Sequence, residues 1–343
     1  MSKPIRLAII TARNLKTSPS SNNTILRLLD NLSKEKYRLS ILLVDDLIPK
    51  SHQTKLKKLK EVPTYQPFHL IKNHPKVSRC LNLTQLSLNQ LKNKIDFAII
   101  PIYNFFGEDG TLLGLLDSVG IPYLSPSMKT SAVCFDKKFC KAILKAHGIL
   151  VSRDIEIRQK TFKLPTSFSF PLIVKPTSCG ASFGACLATN SGELHQAVKK
   201  AFKFSTEVLI EEYIKGDEYS IGIIGHYTKP QALPVVMIKT INPFFDYEAK
   251  YYPNKVEEIC PAPISNNLTK KLQLVAIKAY QAVKADSHAR IDIICKDKNI
   301  YVLEINTFPG LLSQSIFPKE LTAIGSSLSK FLDQTIQSKL SNS

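Results

Sequence analysis

The stretch ARIDIICKDKNIYVLEINTFPG, residues 289–310, leaves few ways for this chain to fold. Two β-rich runs, RIDIIC and IYVLEIN, flank the polar turn KDKN, which is a strong hairpin signal. A simple antiparallel register sets Arg290 opposite Asn306, Asp292 opposite Glu304 and Ile294 opposite Val302. Side chains alternate with period two along a strand, so all of these share one face. An arginine, two carboxylates and a carboxamide then crowd one patch of sheet, where like charges repel unless a cation sits between them. Two readings are open. The patch is either a solvated outer face or a hard oxygen-ligand set of the kind that holds Mg²⁺ against phosphates.

Length and composition bound what such a site belongs to. A chain of 343 residues holds two or three domains, and 44% hydrophobic content supports a real core. No apolar run approaches the ~18–20 residues of a transmembrane helix. The N-terminal MSKPIRLAIITARN has too short an apolar stretch for a secretory signal, so a cytoplasmic protein with no membrane partner is expected. Seven cysteines without a CxxC pair argue for reduced thiols rather than a disulfide or zinc framework. The net charge of +18 raises the question of nucleic acid. The lysines are scattered, however, and the densest run, KLKKLK at 55–60, lacks interleaved aromatics. A solvated basic surface suited to polyanionic small substrates is the better reading, with no nucleic-acid partner.

Along the chain, IRLAII (5–10), YRLSILLVD (37–45), DFAIIP (96–101) and IPYLS (121–125) read as short buried strands of a parallel sheet. Residues 46–90 are Lys-rich and give no clear pattern. SAVCFDKKFCKAILKAHGI (131–149) has helical apolar spacing and stops at Gly148. A different order follows: strand FPLIVKP, a Gly/Ser loop, helix SGELHQAVKKAFKF, then strands EVLIEEYI and EYSIGIIG. Domain boundaries are expected near 130 and 218.

The Gly/Ser loop lies in VKPTSCGASFGACLA, where a strand delivers Lys175 and the turn carries Ser178, Gly180, Ser182 and Gly184. Glycines let backbone N–H groups approach an anion, so the loop could cover phosphates; an ordinary hairpin turn is the plain alternative. Neither GxxxxGK[ST] nor GxGxxG occurs. Glu211 and Glu212 end the next apolar strand and Glu218 heads the one after. Carboxylates at a strand end accept from an adenine amino group or from ribose hydroxyls, or simply rim a solvated loop.

Taken in order, GEDGTLLGLLDSVGIPY (107–123), VKPTSCGASFG (174–184), VLIEEYIKGDEYSI (208–221), FFDYEAKYY (244–252) and RIDIICKDKNIYVLEINTFPGLLSQS (290–315) resemble the ATP-grasp superfamily, and within it the D-alanine–D-alanine ligases. The resemblance covers residues 96–320. It implies a mixed α/β (α+β) fold with an N-terminal Rossmann-like parallel-sheet domain (1–130), a central ATP-grasp lid subdomain (131–218) and a C-terminal antiparallel-sheet domain (219–343). By the same resemblance Lys137 and Lys175 hold ATP phosphates, Glu211, Glu212 and Ile214 the adenine, and Glu218 the ribose, while Lys250 contacts the nucleotide. Asp292, Glu304 and Asn306 are the implied ligands of two Mg²⁺ (or Mn²⁺) ions. Arg290 and the backbone N–H of Gly310 would stabilise a tetrahedral oxyanion, and Ser315 would bind the second amino acid's carboxylate. Tyr251, on a loop that closes over the site, would bond Ser182 and exclude water. D-alanine is the implied substrate, peptidoglycan precursor synthesis the implied role, and a homodimer the implied assembly.

Departures from the family pattern fall in the N-terminal part. The family's glycine-rich first loop carries a glutamate for the first substrate's ammonium; here TARNLKTSPSSNNT (11–24) has neither acid nor glycine. Tyr103 stands at a family histidine and Gln314 at a specificity position. Glu108, in GEDG, is the nearest candidate to supply the missing charge. Three functions therefore stay open: a D-alanine–D-alanine ligase, an ATP-grasp ligase joining other amino acids, and a nucleotide-binding paralogue without ligase activity.

Overall fold

The structure, a computed structural model, describes residues 3–12, 20–48, 68–180, 182–240 and 256–341. Contacts divide the chain into two units, 1–132 with 308–343, and 133–307.

The first unit is built on strands β1 (Ile5–Thr11), β2 (Tyr37–Leu43), β3 (Val77–Asn82) and β4 (Phe97–Ile99), in the order β3-β2-β1-β4 and parallel throughout. The apolar runs of β1, β2 and β4 are buried, as a parallel sheet demands, while the edge strand β3 is only half-buried. IPYLS forms no strand. Tyr123 makes an isolated parallel bridge to Ala98, because Pro122 has no N–H to donate to a ladder. β3 emerges from the stretch that sequence alone left undecided; the KLKKLK run lies outside the described residues. The helix Ser20–Asn31 is terminated by a cation: Lys76 Nζ donates to the carbonyls of Leu29 (2.7 Å), Asp30 (2.8 Å) and Leu32 (2.9 Å), groups that have no acceptor role left inside the helix. Thr11 ends β1, and Ser21, Asn22 and Thr24 sit buried in the first turns of that helix, so only the middle of the expected 11–24 loop falls outside the described residues.

The second unit holds two antiparallel sheets. One comprises β5 (Asp154–Ile157), β6 (Leu172–Pro176), β7 (Cys186–Ala188) and β8 (Val208–Glu212), in the order β5-β8-β6-β7. Leu172, Val174, Val208 and Ile210 turn one face of it to the helix Ser191–Ala201, burying Leu194 and Val198. The period of two then commits Ile173, Lys175 and Glu211 to the opposite face. The other sheet contains β9 (Asp217–Ile224), β10 (Gln231–Ala232), β11 (Val236–Thr240), β12 (Val256–Ile259), β13 (His288–Lys296) and β14 (Asn299–Asn306). Its core face packs Tyr219, Ile221, Ile291, Ile293 and Val302 on Leu272, Ala276 and Tyr280 of the helix Asn266–Ala282. Fully burying one such aliphatic side chain contributes about 1.5–3 kcal/mol, which makes a one-residue slip of either strand prohibitive.

One sequence expectation changes here. The helix expected over 131–148 is two, Met128–Phe135 and Lys137–Ala146, because Asp136 is extended and its carboxylate caps the second by accepting from the N–H groups of Lys138 (2.9 Å) and Phe139 (3.1 Å). Residues 308–343 cluster with the N-terminal sheet: Tyr37 donates to Asp333 (2.8 Å) and Arg27 Nε to the Leu311 carbonyl (2.8 Å). The position near 218 marks the change from one sheet to the other inside the second unit.

Candidate active site

The β13–β14 hairpin turns through Asp297 and Lys298, with Asp297 at φ 56°. Arg290 faces Asn306 and Asp292 faces Glu304, as the sequence implies. Beyond that point the register slips by a bulge, so that Ile293 pairs with Val302 and Ile294 with Tyr301, in place of the expected Ile294–Val302 pair. The bulge inserts Leu303, and Leu303 and Glu304 both reach the same side of the sheet. Val302 is thereby returned to the core.

That side of the sheet and the Lys175 face of the other sheet line one cavity of about 460 Å³. Of the residues singled out in the sequence, Lys137, Lys175, Ser182, Glu211, Glu212, Ile214, Glu218, Asp292 and Glu304 all line it. Ser182 has a positive φ of 55°. Asn306 stands on the same face, opposite Arg290. Gly216 lines the cavity as well, where β8 hands over to β9. A Cβ there would lie 2.3 Å from the Cys295 carbonyl oxygen, a contact with rigid backbone. Gly216→Ala is therefore expected to destabilise the protein by about 1–3 kcal/mol, read as a lower urea midpoint.

Electrostatics tie the cavity together. Lys175 on β6 lies diagonally across from Glu211 on β8 and meets its Oε2 at 2.8 Å. Lys141 meets Oε1 at 2.7 Å. Burial works to raise the Glu211 pKa, but the charges of Lys175 and Lys141 outweigh it and hold the carboxyl below the usual carboxylate range. Burial likewise opposes the charge on Lys175, and Glu211 more than compensates, so that ammonium is held above its ordinary pKa. Glu212 reaches outward and accepts from Arg153 Nε at 2.9 Å. Lys137 Nζ donates to the Cys179 carbonyl (2.6 Å), and Ser178 Oγ donates to Asp136 (3.3 Å); both tie the Gly/Ser loop to the helix that starts at Lys137.

Asp292 accepts from Ser220 Oγ (2.7 Å) and Arg290 Nε (2.8 Å) at Oδ1, and from Arg290 Nη2 (2.7 Å) at Oδ2. A carboxylate offers about four lone-pair sites, so Asp292 retains acceptor capacity toward a cation while Arg290 is held in place. With Glu304 opposite and Asn306 beside them, the donor set is all hard oxygen and fits Mg²⁺.

The remaining candidates lie elsewhere. Glu108, Gly310, Gln314 and Ser315 belong to the first unit. There Ser315 precedes the helix Ile316–Ala323, its Oγ stands 2.8 Å from where a Cβ on Gly310 would be, and Gln314 Oε1 accepts from Ser313 Oγ (3.2 Å). Tyr103 OH and Thr24 Oγ1 are 3.3 Å apart. Burial above all, with the Glu108 charge adding to it against the Thr24 hydrogen bond, pushes the Tyr103 phenol up to about 12. Lys250 and Tyr251 fall outside the described residues. Sequence reading missed Asp136, Lys141, Ser152 and Asp154. The Asp before KKFCK was a legible helix N-cap, but nothing in the lysine spacing marked Lys141 as buried.

The family model described as "D-ala D-ala ligase C-terminus" matches residues 143–337. The D-alanine–D-alanine ligase A of Bacillus cereus is 37% identical over 276 residues, which cover 79% of this chain and 90% of that protein. The chain belongs to the D-alanine–D-alanine ligase family. The crystal structure of the Bacillus anthracis D-alanine–D-alanine ligase complexed with ATP matches with a TM-score of 0.74 at 29% identity, covering 99% of this chain and 98% of that one. The fold is thus the ATP-grasp fold of this family. The VanG D-Ala:D-Ser ligase of Enterococcus faecalis, with a TM-score of 0.77 but 23% identity, shares that fold.

Proposed function

We propose that the protein is an ATP-dependent D-alanine–D-alanine ligase, forming ADP and a peptide bond for peptidoglycan precursors. The observation that carries this is the convergence of Lys175, Glu218, Asp292 and Glu304, all within the family-matched part of the chain, on one cavity that Lys137 also lines. A free carboxylate is a poor electrophile, so one amino acid's carboxylate is first phosphorylated by the ATP γ-phosphate and the second amino acid's amine then attacks the acyl phosphate. Phosphoryl transfer needs alignment and charge neutralisation more than covalent help. Lys137 and Lys175 supply fixed positive charge for the phosphates; Glu212 and Ile214 bound the adenine end and Glu218 the ribose. Glu211, already engaged by two ammoniums, fixes Lys175. Asp292, Glu304 and Asn306 would hold two Mg²⁺ ions, which when bound neutralise phosphate charge. Arg290, clamped by Asp292, and the backbone N–H of Gly310 are the groups that the family resemblance assigns to the oxyanion that forms on amine attack. Ser315 takes the second substrate's carboxylate. Ser182, with Tyr251, excludes water that would hydrolyse the acyl phosphate.

For the first substrate's ammonium, Glu108 is the proposed counter-charge, since its field already reaches Tyr103. Glu108→Gln should raise the KM for the first amino acid by about tenfold or more, because an ammonium left unpaired in a closed pocket costs several kcal/mol. Steady-state D-alanine titrations check this, and an unchanged first KM would place the charge elsewhere. We also propose a homodimer in the cytoplasm; no helix among the described residues is long and apolar enough to cross a membrane. The direct test of the function is phosphate release from ATP on titrating single amino acids. Release that depends on D-alanine and matches dipeptide formed supports the reading; release with another amino acid alone would make the protein a ligase of different specificity, and no release with any would leave only nucleotide binding.

A further inference from the structure

Asp154 on β5 lies directly opposite Glu211 on β8, so two carboxylates face each other on one side of the sheet. Like charges in that position are destabilising unless something lies between them. Lys141 lies there. Its ammonium donates to Glu211 Oε1 (2.7 Å) and Ser152 Oγ (2.9 Å) and stands 3.3 Å from Asp154 Oδ1. The side chain is almost wholly buried, at 3% exposure, and it does not line the cavity. A lysine in the middle of a helix is usually solvated, and burying one ammonium is costly unless its surroundings repay it.

The surroundings form an alternating line of charge. Lys138 (2.5 Å) and Lys145 (2.7 Å) share Asp154 with Lys141, Lys141 shares Glu211 with Lys175, and of these four lysines only Lys175 lines the cavity. Positions 138, 141 and 145 fall at i, i+3 and i+7, so one face of the helix Lys137–Ala146 supplies all three ammoniums. Lys137, one residue along, faces the cavity instead. The helix therefore contacts the phosphate site twice: through Lys137, and through a buried path that ends on Lys175.

We infer that Lys141 is a positioning residue for ATP binding, acting through Glu211 to hold the Lys175 ammonium where the phosphates bind. With Lys141 present, Glu211 is pulled from both ends and its carboxylate has one orientation. Without it, Glu211 faces Asp154 across the sheet with only Lys175 to neutralise it, and the carboxylate draws Lys175 away from the phosphates. This inference rests on the cavity being the ATP site.

The experiment is a double-mutant cycle on the full chain, with KM measured separately for ATP and for D-alanine and folding followed by thermal melting. Lys141→Met is expected to raise the ATP KM about tenfold, leave both D-alanine KM values within about twofold, and add nothing further in a Glu211→Gln background, as expected of residues acting as one unit. Lys141→Gln, which keeps a donor toward Ser152 and Glu211, serves if the methionine variant does not fold, and should show the same pattern more weakly. A folded variant with the wild-type ATP KM, equal losses for ATP and D-alanine, or full additivity with Glu211→Gln would each overturn the inference. Lys175→Met is the control that separates the two readings: if it leaves ATP affinity unchanged, the cavity is not the phosphate site, whatever Lys141 does.

Discussion

Glu304→Gln is expected to lower metal-dependent phosphate release by about a hundredfold or more while leaving the fold intact, because single charged groups aimed at a transferring phosphoryl are worth at least that much. Glu304 projects beside the bulge at Leu303 toward Asp292, and the substitution keeps its size and removes the charge of one proposed metal ligand. Asp292→Asn should be as damaging to turnover and more damaging to stability. Asp292 is 5% exposed, accepts from Ser220 and holds Arg290 in a two-bond clamp; a carboxamide offers one oxygen where the clamp uses two, and leaves the Arg290 charge without its counter-ion. Phosphate release titrated against Mg²⁺ and Mn²⁺, beside a thermal melt, distinguishes the two variants. Full activity in both would remove the metal assignment.

Glu211→Ala should be the most destabilising change in the cavity. It leaves the ammoniums of Lys141 and Lys175 buried together without the carboxylate between them, and breaking a buried ion pair from one side typically costs about 3–5 kcal/mol. At about 2–4 °C per kcal/mol for a unit of this size, the melting temperature should drop by roughly 10 °C. The pH dependence has a definite sign. Burial acts to raise the Glu211 pKa, but Lys175 and Lys141 hold it below its unfolded value, so its contribution is fully present above the ordinary carboxylate pKa and is lost as pH falls through the lower folded value. The wild-type protein should therefore lose part of its stability on acidification, and the alanine variant should lose less. Melting curves from pH 7 downward measure both; parallel curves for the two proteins would show that Glu211 is not the group that titrates.

The sequence alone determined the hairpin, its polar face, the strand bearing Lys175 and the order of motifs, because each of these is a local pattern of period two or a turn signal within about twenty residues. It also fixed which residues face each other at the head of the hairpin, since Arg290, Asp292, Glu304 and Asn306 alternate with buried isoleucines and any one-residue slip would expose the core. The bulge was invisible: a register with Val302 on the polar face satisfies the same alternation until the packing of Ile293 and Val302 on the helix Asn266–Ala282 is known. Glu211 was legible as an acid at a strand end, but its engagement by two lysines was not. Those lysines come from a helix and a strand 34 residues apart, and only the antiparallel pairing of β5, β6 and β8 brings Asp154, Glu211 and Lys175 to one face. Lys141 reads in sequence as one more lysine on a basic helix. Burial and charge partners are properties of three-dimensional neighbours, and no spacing along the helix records that an aspartate and a glutamate from another sheet wait beneath it.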